Sequence, residues 1–251
     1  MNNNPMHNLA TLITERFIAA APKEAATALA GLATHEVIML IGGLKAQHVI
    51  TLLNVMESAK AAAVIRRLPL KQASYVLARL EVVQAAKLWK EFSTPYQERL
   101  RGVLDPAFIN LLASANNFAA DSVGRAMSTD FVSVRTETKV GELVGRLKNI
   151  PRKKLPSVCF VTTKEGMLKG IIPTAELVFF NQQAVCGSVM NKAEAVHPQD
   201  TLSTITSVFD RQGIHCLPVI DGTGIVIGSL EKEVVLTFIP TKKTLWEKLK
   251  G

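Results

Sequence analysis

The residues able to do chemistry are few and scattered along the 251-residue chain. Cys159, Cys186 and Cys216 have no Cys-x-x-Cys spacing and no nearby histidine pair to complete a tetrahedral metal site, so they read as reduced core residues. His7, His35, His48, His197 and His215 fall in separate segments, with no serine or cysteine nucleophile placed on a recognisable turn. His215 beside Cys216 suggests a Cys-His pair, but neighbours on a strand point to opposite faces. No phosphate-cradling glycine loop or dinucleotide fingerprint is present. The expectation is a protein that is not an enzyme.

Composition narrows the class. Apolar residues make up 48% of the chain and charged residues 20%, the balance of a globular protein. Only short apolar runs occur, such as 37–44 and 155–161, far short of a bilayer span, and residues 1–8 lack the basic-then-apolar order of a secretory signal. A cytoplasmic location follows as the expectation. The net charge of +8 is dispersed: residues 1–118 carry 12 basic and 8 acidic groups, and residues 119–251 carry 17 and 13. Nothing in this pattern calls for nucleic acid.

The elements that position these residues are legible as repeats. Apolar residues recur every twelve positions at Leu32, Leu44, Met56, Leu68, Leu80, Phe92 and Leu104. A second series, Leu40, Leu52, Val64, Val76, Leu88, Leu100 and Leu112, runs in phase eight residues later. Two flanking series are interrupted only by Gln97 and Arg101. Positions five, eight, nine and twelve of each unit form the i, i+3, i+4, i+7 stripe of one helix face. A continuous helix would drift by roughly 120° per unit, so it must break between units. Pro69, Thr94-Pro95, Asp105-Pro106 and Gly42-Gly43 supply the breaks. Seven short helices, unstable alone, must stack on one another.

The second half duplicates itself. Gly124 to Met127 and Gly187 to Met190 each open a similar order of elements. Extended segments at 131–134 and 194–197 are followed by helices near 139–149 and 202–211, preceded by Thr138 and Thr201 as caps. A Leu-Pro pair, Leu155-Pro156 or Leu217-Pro218, then opens a strand in each copy. Hairpin turns at Glu165-Gly166 and Asp221-Gly222 lead to strands at 167–172 and 224–230, and a helix closes each copy. The order is β-α-β-β-α, twice.

The strings LPSVCFVTTKEGMLKGIIPTAELV and LPVIDGTGIVIGSLEKEVVL resemble a tandem pair of CBS domains. Preceded by a twelve-residue-repeat helical domain, they make the chain resemble the cytosolic region of MgtE-type magnesium transporters. The first domain alone is also similar to the helical middle domain of the flagellar motor switch protein. The resemblance implies a multidomain fold: an all-α right-handed superhelix of short helices at 1–118, an α+β CBS pair at 119–182 and 183–240, and a connecting helix at 241–251.

It also implies a function. CBS pairs hold adenosine nucleotides, ATP, ADP or AMP, where a strand ends in Gly-hydrophobic-hydrophobic-Ser/Thr-x-x-Asp and the aspartate grips the ribose. Here Pro173 takes the hydroxyl position and Glu176 the acid in the first copy, while Glu231 and Val234 take them in the second. Ribose binding is expected to be weakened in the first and lost in the second. Val132, Ser133 and Pro156, with Val196, His197 and Pro218, are the expected remaining cleft positions, and Arg152, Lys153 and Lys154 could meet phosphates. The family's response to Mg2+ rests on carboxylates near the domain boundary; Asp121, Asp130, Glu137 and Glu142 lie there, but no motif carries ligands across and none is named. The expected function is a regulatory sensor of Mg2+ or adenine nucleotide, homodimeric through the CBS pair and serving a membrane transporter domain at the inner face of the membrane. The alternative is an interaction scaffold that dimerises without a ligand.

Overall fold

The structure, a computed structural model, describes residues 5–238, with side chains from residue 11 onward except those of Asn116 and Lys153. The connecting helix expected at 241–251, and the side chain of Lys153, lie outside the described residues. The chain divides between residues 116 and 117 into two compact units.

The first unit is helical throughout: α1 (Pro5–Ala20), α2 (Pro22–Ala30), α3 (Thr34–Ile41), α4 (Ala46–Val55), α5 (Ser58–Ile65), α6 (Leu70–Leu77), α7 (Val82–Glu91), α8 (Thr94–Arg101) and α9 (Pro106–Ser114). The last seven are the repeat helices. Each packs on the next but one, so that α3, α5, α7 and α9 form one rank and α2, α4, α6 and α8 another. Breaks fall where the sequence places them: Asp105 caps α9 by accepting from the Ala107 N–H at 2.8 Å, with Pro106 in the first turn.

Burial follows the repeat. Leu52, Val64, Leu88 and Leu100 of the second series are fully buried, whereas Leu40 is 48% exposed because α3 begins its rank and rests chiefly on α5. The two polar exceptions have partners. Gln97 Nε2 donates to the Trp89 and Phe92 carbonyls, and the Arg101 guanidinium lies 5.6 Å from the Trp89 ring centroid. Gln84 is buried and donates to the Leu53 and Met56 carbonyls at 3.1 and 2.9 Å, closing the open end of α4.

The second unit contains α10 (Val123–Ala126), β1 (Ser133–Arg135), α11 (Val140–Lys148), β2 (Val158–Thr162), β3 (Leu168–Pro173), a 3-10 helix (Thr174–Phe179), α12 (Cys186–Val189), α13 (Leu202–Gln212), β4 (Cys216–Ile220), β5 (Val226–Glu231) and α14 (Lys232–Phe238). β1 pairs with β2 in parallel and β2 with β3 antiparallel; β4 pairs antiparallel with β5. In the second copy the strand expected near 194–197 reduces to one parallel bridge, Val196 to Val219.

Every residue of β2 is buried, which its unbroken apolar run requires. Cys159 and Val161 pack with Leu143 and Leu147 of α11, while Val158 and Phe160 pack with Cys216 and Val226 of the other copy. The copies also exchange backbone. The N–H groups of Val123 and Gly124 donate to the Asp200 and Pro198 carbonyls, and those of Cys186 and Gly187 donate to Thr138 and Thr136. Ser128 bridges Ser229 just as Asn191 bridges Ile171. Each copy's opening segment is therefore bound to its sister, and neither copy satisfies its backbone alone.

Several expectations need correction. Register equates Phe160 with Pro218, since Phe160 opposes Ile171 where Pro218 opposes Ser229. The two Leu-Pro pairs are therefore not equivalent: Pro156 precedes β2, and Pro218 sits in mid-strand. Similarly Val196 corresponds to Val134, because both pair in parallel with the same strand position. Lys139, not Thr138, is the N-cap of α11, and Thr201 makes no side-chain cap. The left-handed residue of the second hairpin is Gly224, φ +85°, not Gly222, because Asp221 Oδ1 accepts from the Thr223 and Ile225 N–H groups and delays the turn. The first copy closes with a 3-10 helix in place of an α-helix.

Candidate functional site between the two copies

The duplication creates two clefts of unequal size. The larger, about 890 Å³, takes Ser157, Val158, Ile171 and residues 173–176 from the first copy and residues 191–194 and 212–215 from the second. The smaller, about 200 Å³, is lined by Asp130, Phe131, residues 154–156, Val158, Phe160, Cys216, Ser229 and Glu231. Drug-sized ligands occupy roughly 300–1,000 Å³, so only the larger of these two has the capacity for one. Phe131 and Phe160, ring centroids 5.6 Å apart, account for the difference by filling the smaller cleft.

The 3-10 helix carries Glu176 to the larger cleft. Its start is pinned by Thr174, whose Oγ1 donates to the Pro156 carbonyl at 2.6 Å and whose N–H donates to Ser157 at 2.9 Å. Asn191 Nδ2 then reaches across the copies to Glu176 Oε2 at 3.4 Å. On the facing wall Glu194 accepts from Arg211 Nε at 3.1 Å, and the guanidinium holds its carboxyl below the usual range. Gln212 Nε2 is buried with no acceptor in hydrogen-bonding geometry, although it lies close enough to Glu194 to help keep that carboxylate ionised. The cleft thus offers two carboxylates, one lysine, Lys192, and a buried amide donor.

The nine residues singled out from sequence do not converge. Pro173 and Glu176 line the larger cleft; Pro156 and Glu231 line the smaller. Ser133 lies in a separate polar groove of about 660 Å³ with Arg135, Glu142, Arg146 and Lys164. Val132 packs against the core of the first copy, Val196 is 2% exposed, and Pro218 is buried in β4. His197 is exposed, its N–H donating to Asp200 Oδ2 at 2.7 Å. Asn191, Lys192, Glu194 and Gln212 were not singled out at all; the repeated Gly-x-x-Met turn just before Asn191 was the available signal.

No cysteine here is poised for reaction. Burial pushes the Cys159 thiol up to about 11 and the Cys216 thiol up to about 12. Among the described residues no group of three or more His, Cys, Asp or Glu could hold a metal ion. No described helix is long and apolar enough to cross a membrane.

Residues 123–180 and 186–240 match the CBS domain family. A curated relative, the magnesium transporter MgtE of Thermus thermophilus, is 23% identical over 151 residues, 59% of this chain and 34% of that protein; the chain spans about a third of its length. The crystal structure of the cytosolic domain of the Mg2+ channel MgtE in complex with ATP is similar with a TM-score of 0.50 at 21% identity, over 90% of this chain and 98% of that one. The soluble part of a magnesium transporter gives 0.50 at 16%, covering 92% and 94%. Residues 123–240 thus hold a tandem pair of CBS domains, and the chain has the fold of the cytosolic region of MgtE-type magnesium transporters.

Proposed function

We propose that the chain is a cytoplasmic regulatory protein, not an enzyme, that binds an adenine nucleotide or nucleoside between its CBS domains and serves a magnesium-transporting membrane partner. The observation that carries this reading is the larger cleft, to which both copies contribute and whose capacity suits one such ligand. The likeness to a cytosolic domain that holds ATP supports it. Glu176 is the residue we assign to the ribose hydroxyls, as acceptor, and Pro173 shapes the wall beside it. A ligand changes the output only through different affinity for two arrangements of the helical unit and the CBS pair.

The same reading has the chain paired with a second copy. Val178 and Phe179, 80% and 83% exposed on the 3-10 helix, are the apolar surface for it, and Phe179→Asp should yield a monomer in light scattering if they serve that purpose. The functional test is small-angle scattering of the whole chain with and without adenosine or adenine nucleotide and, separately, millimolar magnesium. A changed profile supports sensing. An unchanged profile in both, with the dimer intact, supports the scaffold reading, which the narrow smaller cleft already favours for that side of the pair.

A further inference from the structure

The walls of the larger cleft carry an electrostatic preference. A polyphosphate is bound where several arginines or lysines converge, usually in bidentate contact. This cleft instead offers Glu176 and Glu194 against the single Lys192. The nearby guanidinium that could have served, Arg211, is held by Glu194 through Nε at 3.1 Å and a second contact from Nη2. His215, the remaining titratable residue on the wall, faces Glu233, with Nδ1 3.5 Å from its carboxylate. Asn191 and Gln212 add amide groups to the wall but no charge.

Resting on the reading that this cleft binds an adenine compound, we propose that it selects a nucleoside without negative charge, uncharged or cationic, and rejects the triphosphate, and that Glu194 sets this selectivity by neutralising Arg211. The carboxylates accept the ribose hydroxyls and any cationic substituent, but they repel a phosphate chain; Glu194 is half exposed, so this repulsion is felt most at low ionic strength. The smaller cleft, about 200 Å³ with Phe131 and Phe160 on its walls, is below the roughly 300 Å³ that a ligand of this size needs.

Isothermal titration of the whole chain with adenosine, AMP and ATP, in chelator and without divalent cation so that ATP keeps its full charge, tests this. Adenosine should bind about tenfold more tightly than ATP, with AMP between. Glu194→Gln, at an exposed position where folding is not at risk, frees Arg211 and should narrow that gap at least about threefold, mainly by strengthening ATP. ATP binding as tightly as adenosine, or a gap that Glu194→Gln leaves unchanged, overturns the selectivity while the ligand-binding reading stands. Silence with all three compounds in both proteins overturns both.

Discussion

Replacing Gly170 by alanine probes the exchange of backbone between the copies. A Cβ at Gly170 would stand 2.5 Å from the Asn191 carbonyl oxygen and 3.0 Å from Met190 Sδ. The methionine can swing aside, but the carbonyl cannot, because Asn191 and Ile171 exchange hydrogen bonds of 2.8 and 2.9 Å. Relieving the clash means moving the opening segment of the second copy off β3. Two backbone hydrogen bonds at about 1 kcal/mol each, plus about 1–2 kcal/mol of overpacking, less about 0.5–1 kcal/mol gained by removing a strand glycine, leave a net loss of roughly 2–3.5 kcal/mol. Gly228→Ala, where the equivalent carbonyl of Ser128 is 2.9 Å away, should lose somewhat less. Gly145→Ala, exposed within α11 with nothing within 4 Å, should instead gain about 0.5–1 kcal/mol from helix propensity. Urea unfolding followed by circular dichroism, with the transition of the second unit fitted separately, reads all three. Gly170→Ala as stable as the parent, or as stable as Gly145→Ala, would refute the backbone exchange described above.

Cys159 and Cys216 should resist a thiol reagent at pH 8 until the chain is unfolded. Because their folded pKa values are raised, their contribution to stability is complete below about pH 8.5 and falls as pH rises toward 11–12, which an alkaline series of melting curves would reveal. Glu15 accepts from the Lys45 N–H at 3.0 Å and from Lys45 Nζ at 3.1 Å, fastening α1 to the start of α4. Glu15→Ala should cost about 1–2 kcal/mol in urea unfolding at pH 7. The carboxyl is held below its usual range, chiefly by the Lys45 backbone N–H, so its contribution is present above about pH 4.5 and lost on further acidification, where mutant and parent should converge. Gln84→Met should cost about 2–4 kcal/mol, since two buried carbonyls at the end of α4 lose their donor; a loss below about 1 kcal/mol in the same assay would show that water replaces the amide.

The repeat helices were readable because each twelve-residue unit writes a complete apolar stripe and a break, and packing then has little freedom. Even Gln97 and Arg101, which interrupt the pattern, answer to local needs, a carbonyl to cap and a tryptophan ring to cover. The strands of the second unit were readable to within a few residues for the same reason. The cleft was not, because lining residues depend on register, and register is a relation between strands that no single segment encodes. Equating Leu155-Pro156 with Leu217-Pro218 displaces the second copy by four residues and puts Pro218 at a cleft position, whereas pairing sets it opposite Ser229 in mid-strand. Asn191 and Glu194 escaped notice because their place on the wall comes from the crossing of one copy's opening segment to the other copy's sheet. α1 and α2 lie ahead of the seven units, and which helix they rest on is a relation between distant segments, so only the structure reveals that both pack on α4.

Hydrogen exchange with and without saturating adenosine tests the central claim most directly, that the copies form one module holding its ligand in the larger cleft. Amides in 174–176, 191–194 and 212–215 should slow together, one set from each side of the duplication, while those in 130–131 and 154–155 stay as they were. Slowing confined to the smaller cleft, or to a single copy, would contradict the account.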